Sequence, residues 1–366
     1  MGPIDMGPGR AIFCSKRPTL AVATAFWFPN EGGAERQLRE LMAELAKKGW
    51  RIVIITAAGM EDQSVSQPAD SMRICSVATS GDASGVAVGS KLTRKTYGAL
   101  LREQPDVVLA SLASGASLAG VTYGALHRVP TVLRIGGDDF ARFGKSARGR
   151  LQARWMLRAT DVVVVNASHL KMQFEKFGGS SLDVRVIRNG VSEAFDRSIG
   201  DSALPASTQG VRVLYYTNGT PEKNDQAFVQ LVSSSPGMAF RVLGDVKGLP
   251  QLPNVELVGR VKDVASHMNW CNVVLNVSTK EGSPNFCLQA LACGRRVVGF
   301  NNEGIADLAL QYPDYVSLVG VNDLETAREE LGRLGSMQMP PAARVRRISD
   351  AAEEWHKLLS EVCRTR

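Results

Sequence analysis

SEAFDRSIGDSALPASTQGVRVLYYT, residues 192–217, divides the chain. Up to Gly210 it is crowded with Ser, Gly, Ala and Pro, a composition that suits a linker. From Val211 it turns apolar, β-branched and aromatic, and reads as a strand. A fresh series of elements therefore begins at residue 211, and the fold follows from what stands on each side.

Before the divide, TLAVATAFWF (19–28), RIVIITA (51–57), DVVLAS (106–111), TVLRI (131–135), DVVVVNAS (161–168) and DVRVIRN (183–189) are strand candidates. Helical stretches at 34–48, 91–103 and 147–159 separate several of them. After it come strand candidates VRVLYYT (211–217), AFRVLG (239–244), VELVG (255–259), NVVLNVS (272–278), RRVVGF (295–300) and YVSLV (315–319). Helices are expected at 222–233, 262–270 and 284–293. Short, near-continuous Val/Ile/Leu runs alternating with helices argue for parallel sheets covered on both faces. The expected class is α/β, two Rossmann-like domains facing a cleft. Its expected parts are a loose basic arm at 1–18, a first domain at 19–191, the linker at 192–210 and a second domain at 211–342. A terminal helix at 343–364, within a final segment 343–366, is placed to pack back on the first domain. In open α/β sheets, ligands bind at the carboxyl ends of the strands, so the chemistry is sought there.

At 366 residues, 44% hydrophobic and 22% charged, the chain has material for two packed cores and is not a disordered tail. No window approaches 18 uncharged apolar residues, and the start lacks the apolar run of a secretion signal. Cys14, Cys75, Cys271, Cys287, Cys293 and Cys363 form no C-x-x-C pair, and no histidine lies at metal-ligand spacing. They read as free thiols in a reducing cytoplasm, with no metal expected. Lys and Arg outnumber Asp and Glu by eight in residues 1–200 and fall one short in 201–366. The basic half needs its own explanation.

Two loops draw attention. In FPNEGGAERQL (28–38), Gly32 and Gly33 would let backbone approach a ligand, and the helix behind them offers free N–H groups to a phosphate. The pattern is neither G-x-G-x-x-G nor a P-loop. A plain strand-to-helix turn has the same look. In YYTNGTPEKNDQAF (215–228), Lys223 stands where a lysine can reach an anion at the cleft, or simply face solvent. The richest stretch is EGSPNFCLQALACG (281–294). Ser283 is a good N-cap and Pro284 a good first helical residue. Phe286, Cys287, Ala290, Leu291 and Cys293 take core positions, while Asn285, Gln289 and Ala292 form another stripe. Glu281 and Gly282 precede the helix, at the mouth of the cleft. A capped core helix and a ligand clamp fit equally well.

Taken together, FPNEGGAERQL, VIRNGV (186–191), Lys223, VELVGRV (255–261) and STKEGSPNFCLQALACGRRVVGF (278–300) leading into NNEGIADL (301–308) resemble the retaining glycosyltransferases of family 4, with GT-B architecture. The resemblance implies transfer of a sugar from a nucleotide diphosphate sugar, a UDP- or GDP-sugar, with retention and without a metal or other cofactor. It makes Glu281 the residue that binds donor hydroxyls and Lys223 the diphosphate lysine. Gln289 stands in the place of a ribose-binding glutamate. Gly33 lies beneath the diphosphate, with Gly32 also in the donor site, and the backbone at Arg260 and Val261 meets the base. Asn218, Gly282, Ser283, Pro284 and Asn285 complete the donor set. RIGGDDF (134–140) stands where the family often carries a histidine near the donor sugar, which makes Asp138 a catalytic candidate and Arg134 and Asp139 acceptor-side candidates; capping of the next segment by Asp138 or Asp139 fits equally well. Two departures stand out: YTNGTPEK lacks the arginine that usually precedes the lysine, and Gln289 is an amide.

Retaining transfer of this kind needs few side chains, because the leaving diphosphate can take the acceptor proton. The enzyme then acts by positioning and by stabilising charge. GKSARGRLQARWMLR (144–158), with Leu151, Trp155, Met156 and Leu157, and KLTRKTYGALLR (91–102) carry the basic excess. Helices of this kind can lie on anionic lipid. The expected setting is cytoplasmic, peripheral on the inner face of the membrane, with a saccharide or lipid-linked acceptor of a bacterial cell-surface polysaccharide or glycolipid. No nucleic-acid module is visible. A non-catalytic nucleotide-sugar-binding scaffold and a nucleotide-sugar epimerase are the competing readings.

Overall fold

The structure, a computed structural model, describes residues 17–25, 27, 33–57, 71–77, 90–112, 114–137, 147–178, 182–197 and 210–364. The described strands form two wholly parallel sheets. The first contains β1 (Thr19–Thr24), β2 (Arg51–Thr56), β3 (Met72–Ser76), β4 (Val107–Ser111), β5 (Thr131–Ile135), β6 (Val162–Val165) and β7 (Val184–Val186). Their order is β3-β2-β1-β4-β5-β6-β7. The second contains β8 (Val211–Thr217), β9 (Met238–Gly244), β10 (Val255–Gly259), β11 (Val273–Asn276), β12 (Arg296–Phe300) and β13 (Val316–Val319), in the order β10-β9-β8-β11-β12-β13. Every residue of β1, β4, β5, β6 and β11 is buried, which explains their unbroken apolar sequences. β3 is a half-exposed edge, so MRICS lacks that signal.

Helices α1 (Gly33–Lys47), α2 (Ser90–Glu103), α3 (Gly115–His127), α4 (Ala147–Ala159) and α5 (Ser168–Gly178) accompany the first sheet. A short α6 (Ala194–Arg197) follows. With the second sheet go α7 (Asp225–Ser233), α8 (Val264–Trp270), α9 (Asn285–Ala292), α10 (Glu303–Gln311) and α11 (Leu324–Ser336). Helix α12 (Ile348–Arg364) then packs against α1. Its Trp355, Leu358 and Leu359 join Leu38, Leu45 and Trp50 in one core, and Trp50 Nε1 donates to His356 Nδ1 at 3.0 Å.

Three expectations need correction. The helix expected at 222–233 is broken: a 3₁₀ turn, Pro221–Lys223, ends at Asn224, whose φ of 58° lies in the left-handed region, and α7 starts afresh. The stretch 192–210 is not linker from its start. Phe195 is buried with Val191 in the second domain's core, and Cys293 Sγ donates to its carbonyl at 3.6 Å. Residues 198–209 lie outside the described residues. The terminal helix begins at Ile348 rather than 343, because Arg347 pairs with Val191 in a parallel bridge.

Strand order reverses between β1 and β4 and between β8 and β11. These are the switch points where crossovers leave on opposite faces and open a crevice at the strands' carboxyl ends. Lys223 follows β8 and Glu281 follows β11, so the two flank the second sheet's switch point.

Candidate active site

Polar residues end β11 where its apolar run stops. Asn276 Nδ2 (3.1 Å) and Ser278 Oγ (2.8 Å) both donate to Glu281 Oε1. From the neighbouring strand end, Lys223 Nζ donates to the same oxygen at 2.6 Å. Tyr215, itself buried in β8, holds the lysine's turn by donating its hydroxyl to the Lys223 carbonyl (2.9 Å) and Asp225 Oδ1 (2.8 Å). The pair is largely out of water, with 17% and 12% of the two side chains exposed. Burial pulls the Lys223 pKa down, but the charge and hydrogen bond of Glu281 outweigh it and the pKa is raised. The ammonium is therefore held charged at neutral pH. Behind the pair, Cys287 lies 3.7 Å from Asn276 Nδ2, and burial first, then Glu281, pushes its thiol up to about 12. It is an inert core thiol, not a nucleophile. Tyr216 lies 5.8 Å beneath Lys223 Nζ, with Phe286 tilted against it at 5.4 Å between ring centroids.

The Glu281 loop is fixed from outside by close packing. Asn302 caps α10, accepting from Ile305 N at 3.0 Å, and its amide donates to the Ser278 carbonyl at 2.8 Å. A Cβ on Gly304 would lie 2.5 Å from the Glu281 carbonyl oxygen. One on Gly282 would lie 2.6 Å from the carbonyl of Gly136, in the first domain. Both positions need glycine for closeness rather than for backbone angle. Asn285 stitches the domains together: its Oδ1 accepts from Asn189 Nδ2 (2.8 Å) and its Nδ2 donates to the Gly33 carbonyl (3.3 Å). Gln37 donates to the Gly190 carbonyl at 2.9 Å, and Arg188 forms an ion pair with Asp307. A small, open pocket lies beside this seam, lined in part by Asn166, Arg188, Asn189, Ser283 and Asp307.

The expected site residues fall into three groups. Glu281, Lys223, Gly282, Asn285 and Gly33 come together across the cleft. Others sit differently from expectation. Ser283 does not cap α9: Pro284 occupies the cap position, no side chain caps the helix, and the Ser283 carbonyl accepts from Asn285 N at 2.9 Å. Gln289 is 6% exposed, within the buried wall of α9. Asn218 folds its own loop, accepting from Thr220 Oγ1 at 2.9 Å. Arg260 is exposed, 3.7 Å from Asp245, beside a half-buried Val261. Arg134 is buried at the end of β5, 3.4 Å from Ser111 Oγ. Gly32, Asp138 and Asp139 lie outside the described residues. Asn276, Ser278, Asn302 and Gly304 do not stand out in the sequence, although a polar break at the end of an apolar strand marks the first two. Among the described residues, no three His, Cys, Asp or Glu side chains are grouped to hold a metal ion.

The family is defined domain by domain. Residues 31–195 match the model of Glycosyltransferase Family 4, and residues 222–334 match that of Glycosyl transferases group 1. Together these matches account for most of the chain, and the chain belongs to this glycosyltransferase family, with GT-B architecture. It is 22% identical over 195 residues to the uncharacterized glycosyltransferase MJ1178 of Methanocaldococcus jannaschii. That alignment takes in 50% of this chain and spans about half, 52%, of the relative. Among solved structures, the chain is similar to HepE (Alr3699) of Anabaena in complex with UDP-glucose: TM-score 0.70, 15% identity, 95% of this chain and 97% of that one. It is also similar to sucrose-phosphate synthase of Thermosynechococcus elongatus (0.69, 14%, 96% and 97%). A UDP-GlcNAc 2-epimerase of M. jannaschii shares the fold too (0.57, 12%, 94% and 99%).

Proposed function

We propose that the protein transfers a sugar from a nucleotide diphosphate sugar to a saccharide or lipid-linked acceptor, with retention and without a metal. The observation that carries this is the Lys223–Glu281 pair, locked by Asn276 and Ser278 at the switch point beside the start of α9. Glu281 Oε1 is filled by three donors, which leaves Oε2 as the acceptor for sugar hydroxyls. Lys223 and the N–H groups that follow Asn285 in the first turn of α9, which no side chain caps, stabilise the departing diphosphate. That leaving group takes the acceptor proton on the face it vacates, and the chain contributes orientation and charge. A UDP- or GDP-sugar is the donor proposed, and HepE, solved with UDP-glucose, makes a UDP-sugar the first to test. A thermal-shift screen of UDP-, GDP- and ADP-sugars tests the reading. The true donor at a hundred times its Kd adds about 2.7 kcal/mol and raises Tm by several degrees. No shift with any of them, and no donor hydrolysis, would sink it.

Two rivals have specific support. The neutral, buried Gln289 and the missing arginine before Lys223 favour a nucleotide-sugar-binding scaffold, which predicts binding without turnover. The fold shared with a UDP-GlcNAc 2-epimerase favours interconversion of nucleotide sugars without an acceptor.

We place the protein in the cytoplasm, on the inner face of a cell membrane, where it builds a surface polysaccharide or glycolipid. Helices α2, α3 and α4 lie side by side on one face of the first domain. On α4, Leu151 (70% exposed) and Trp155 (44%) stand among exposed Arg148, Arg150, Arg154 and Arg158. Met156 and Leu157, expected to add to this face, are instead buried in the core. Among the described residues no helix is long and apolar enough to cross a membrane. Flotation is expected with phosphatidylglycerol vesicles at low salt and not with phosphatidylcholine vesicles, at about 1 kcal/mol per basic residue near the surface. Equal flotation with both would remove the charge argument.

A further inference from the structure

Asn285 opens α9, and its amide meets the first domain at two points. Its Oδ1 accepts from Asn189 Nδ2 at 2.8 Å, and its Nδ2 donates to the Gly33 carbonyl at 3.3 Å. Those two points are tied to each other. Gly33 and Gln37 stand about one turn apart on one side of α1. Gln37, 4% exposed, donates to the Gly190 carbonyl at 2.9 Å, and Gly190 follows Asn189 in the chain. The contacts close a circuit from Gly33 through Asn285, Asn189, Gly190 and Gln37 back along α1. Of its members only Asn285 belongs to the second domain. The first-domain side is firmly held. Val191 pairs with Arg347 in a parallel bridge, donating to the Arg346 carbonyl at 2.9 Å and accepting from Ile348 N at 3.1 Å. A Cβ on Gly190 would collide with the Arg347 carbonyl, and α12 packs against α1. Asn285 is thus keyed to a closely packed part of the first domain, and it brings the start of α9 opposite the start of α1.

We infer that Asn285 is a positioning residue for the transfer: it sets the spacing between the starts of α9 and α1, and so the width of the slot from which the diphosphate departs. This rests on the proposed nucleotide-sugar donor. An amide suits the task because one end must accept and the other donate. Asn189 acts through the same contact, from the first domain. One of the two bonds is exposed and the other is only partly buried, so water replaces them when Asn285 is shortened and little stability is lost. What is lost is orientation, on which rate depends steeply.

A double-mutant cycle tests it, with Asn285→Ala, Asn189→Ala and the pair together, each assayed for donor turnover and melted. Each single variant is expected to lower kcat/KM about tenfold, mostly in kcat, and the double variant to lose no more than either single. Tm is expected to move by less than about 2 °C. If Asn285 instead touches the donor itself, Asn189→Ala is nearly silent and the two losses do not couple, which overturns the inference. Unchanged kcat/KM in both single variants, or losses that only follow a fall in Tm, overturn it too. Should Asn189→Ala not fold, Asn189→Asp withdraws the same donor and takes its place in the cycle. If wild type turns over a nucleotide sugar and the variants match it, this inference alone fails. If wild type binds a nucleotide sugar without turnover, the same cycle is read on its Kd. If wild type binds none, the donor proposal fails and takes this inference with it.

Discussion

Glu281→Ala is expected to lower kcat/KM for the preferred donor about a thousandfold, because two charge-assisted hydrogen bonds to the sugar disappear, each worth about 2 kcal/mol. The carboxylate has two tasks here. Its Oε1 gathers Lys223, Asn276 and Ser278, and in the proposed reaction its Oε2 takes the sugar. Alanine removes the ligand contact and leaves a largely buried ammonium without its counter-charge, which costs about 3 kcal/mol of stability. Since the Lys223 pKa is raised in the folded protein, that stabilisation is complete below the ordinary lysine value of 10.5 and is lost only as pH rises through the folded value. At assay pH the whole loss is felt, so Tm is expected to fall by several degrees. Glu281→Gln keeps the shape and the acceptor while removing the charge. It separates the two tasks: activity falls with a smaller change in Tm. Unchanged kcat/KM in Glu281→Ala would take this residue out of the site.

Gly304→Ala should do comparable damage without touching a charged group. Its Cβ would stand 2.5 Å from the Glu281 carbonyl oxygen, 2.7 Å from Glu281 Cβ and 2.8 Å from its carbonyl carbon. Helix α10 cannot retreat, because Asn302 ties its first turn to the Ser278 carbonyl at 2.8 Å. The Glu281 loop must therefore move. A displacement of about 1 Å in a positioning group costs about a hundredfold in rate, and the overpacking costs about 1–3 kcal/mol. The expected signature is a fall in kcat larger than the rise in KM. Gly237→Ala, where a Cβ meets nothing within 4 Å, is the neutral control. Full activity in Gly304→Ala would mean that the position of Glu281 is not critical.

What the sequence reveals of this molecule depends on what each residue answers to. The central strands are plain in it, because burial on both faces leaves only apolar residues. Edge strand β3 is not, since half its surface meets water. Helix α3 gives no amphipathic stripe because it is wedged between the sheet, α2 and α4 and is apolar nearly all round. In the site, local pattern singles out Glu281 and Lys223, but not their direct contact across 58 residues. Asn285 shows the limit most clearly. On the helix wheel it shares a stripe with Gln289, yet its partners are Asn189 and Gly33, and only the docking of the two domains creates that demand. Gln289 fails in the reverse sense, because the neighbours of α9 bury it.

Helix α12 bears on how the chain matures during synthesis. The apolar surface made by Leu38, Leu41, Leu45 and Trp50 is closed by Trp355, Leu358, Leu359 and Val362, which emerge only after the entire second domain. A nascent chain halted near residue 342 would present that surface uncovered, a substrate for holding chaperones rather than a finished domain. The usual order, amino-terminal domain first, gives way to one in which the first domain's core closes only when helix α12 arrives.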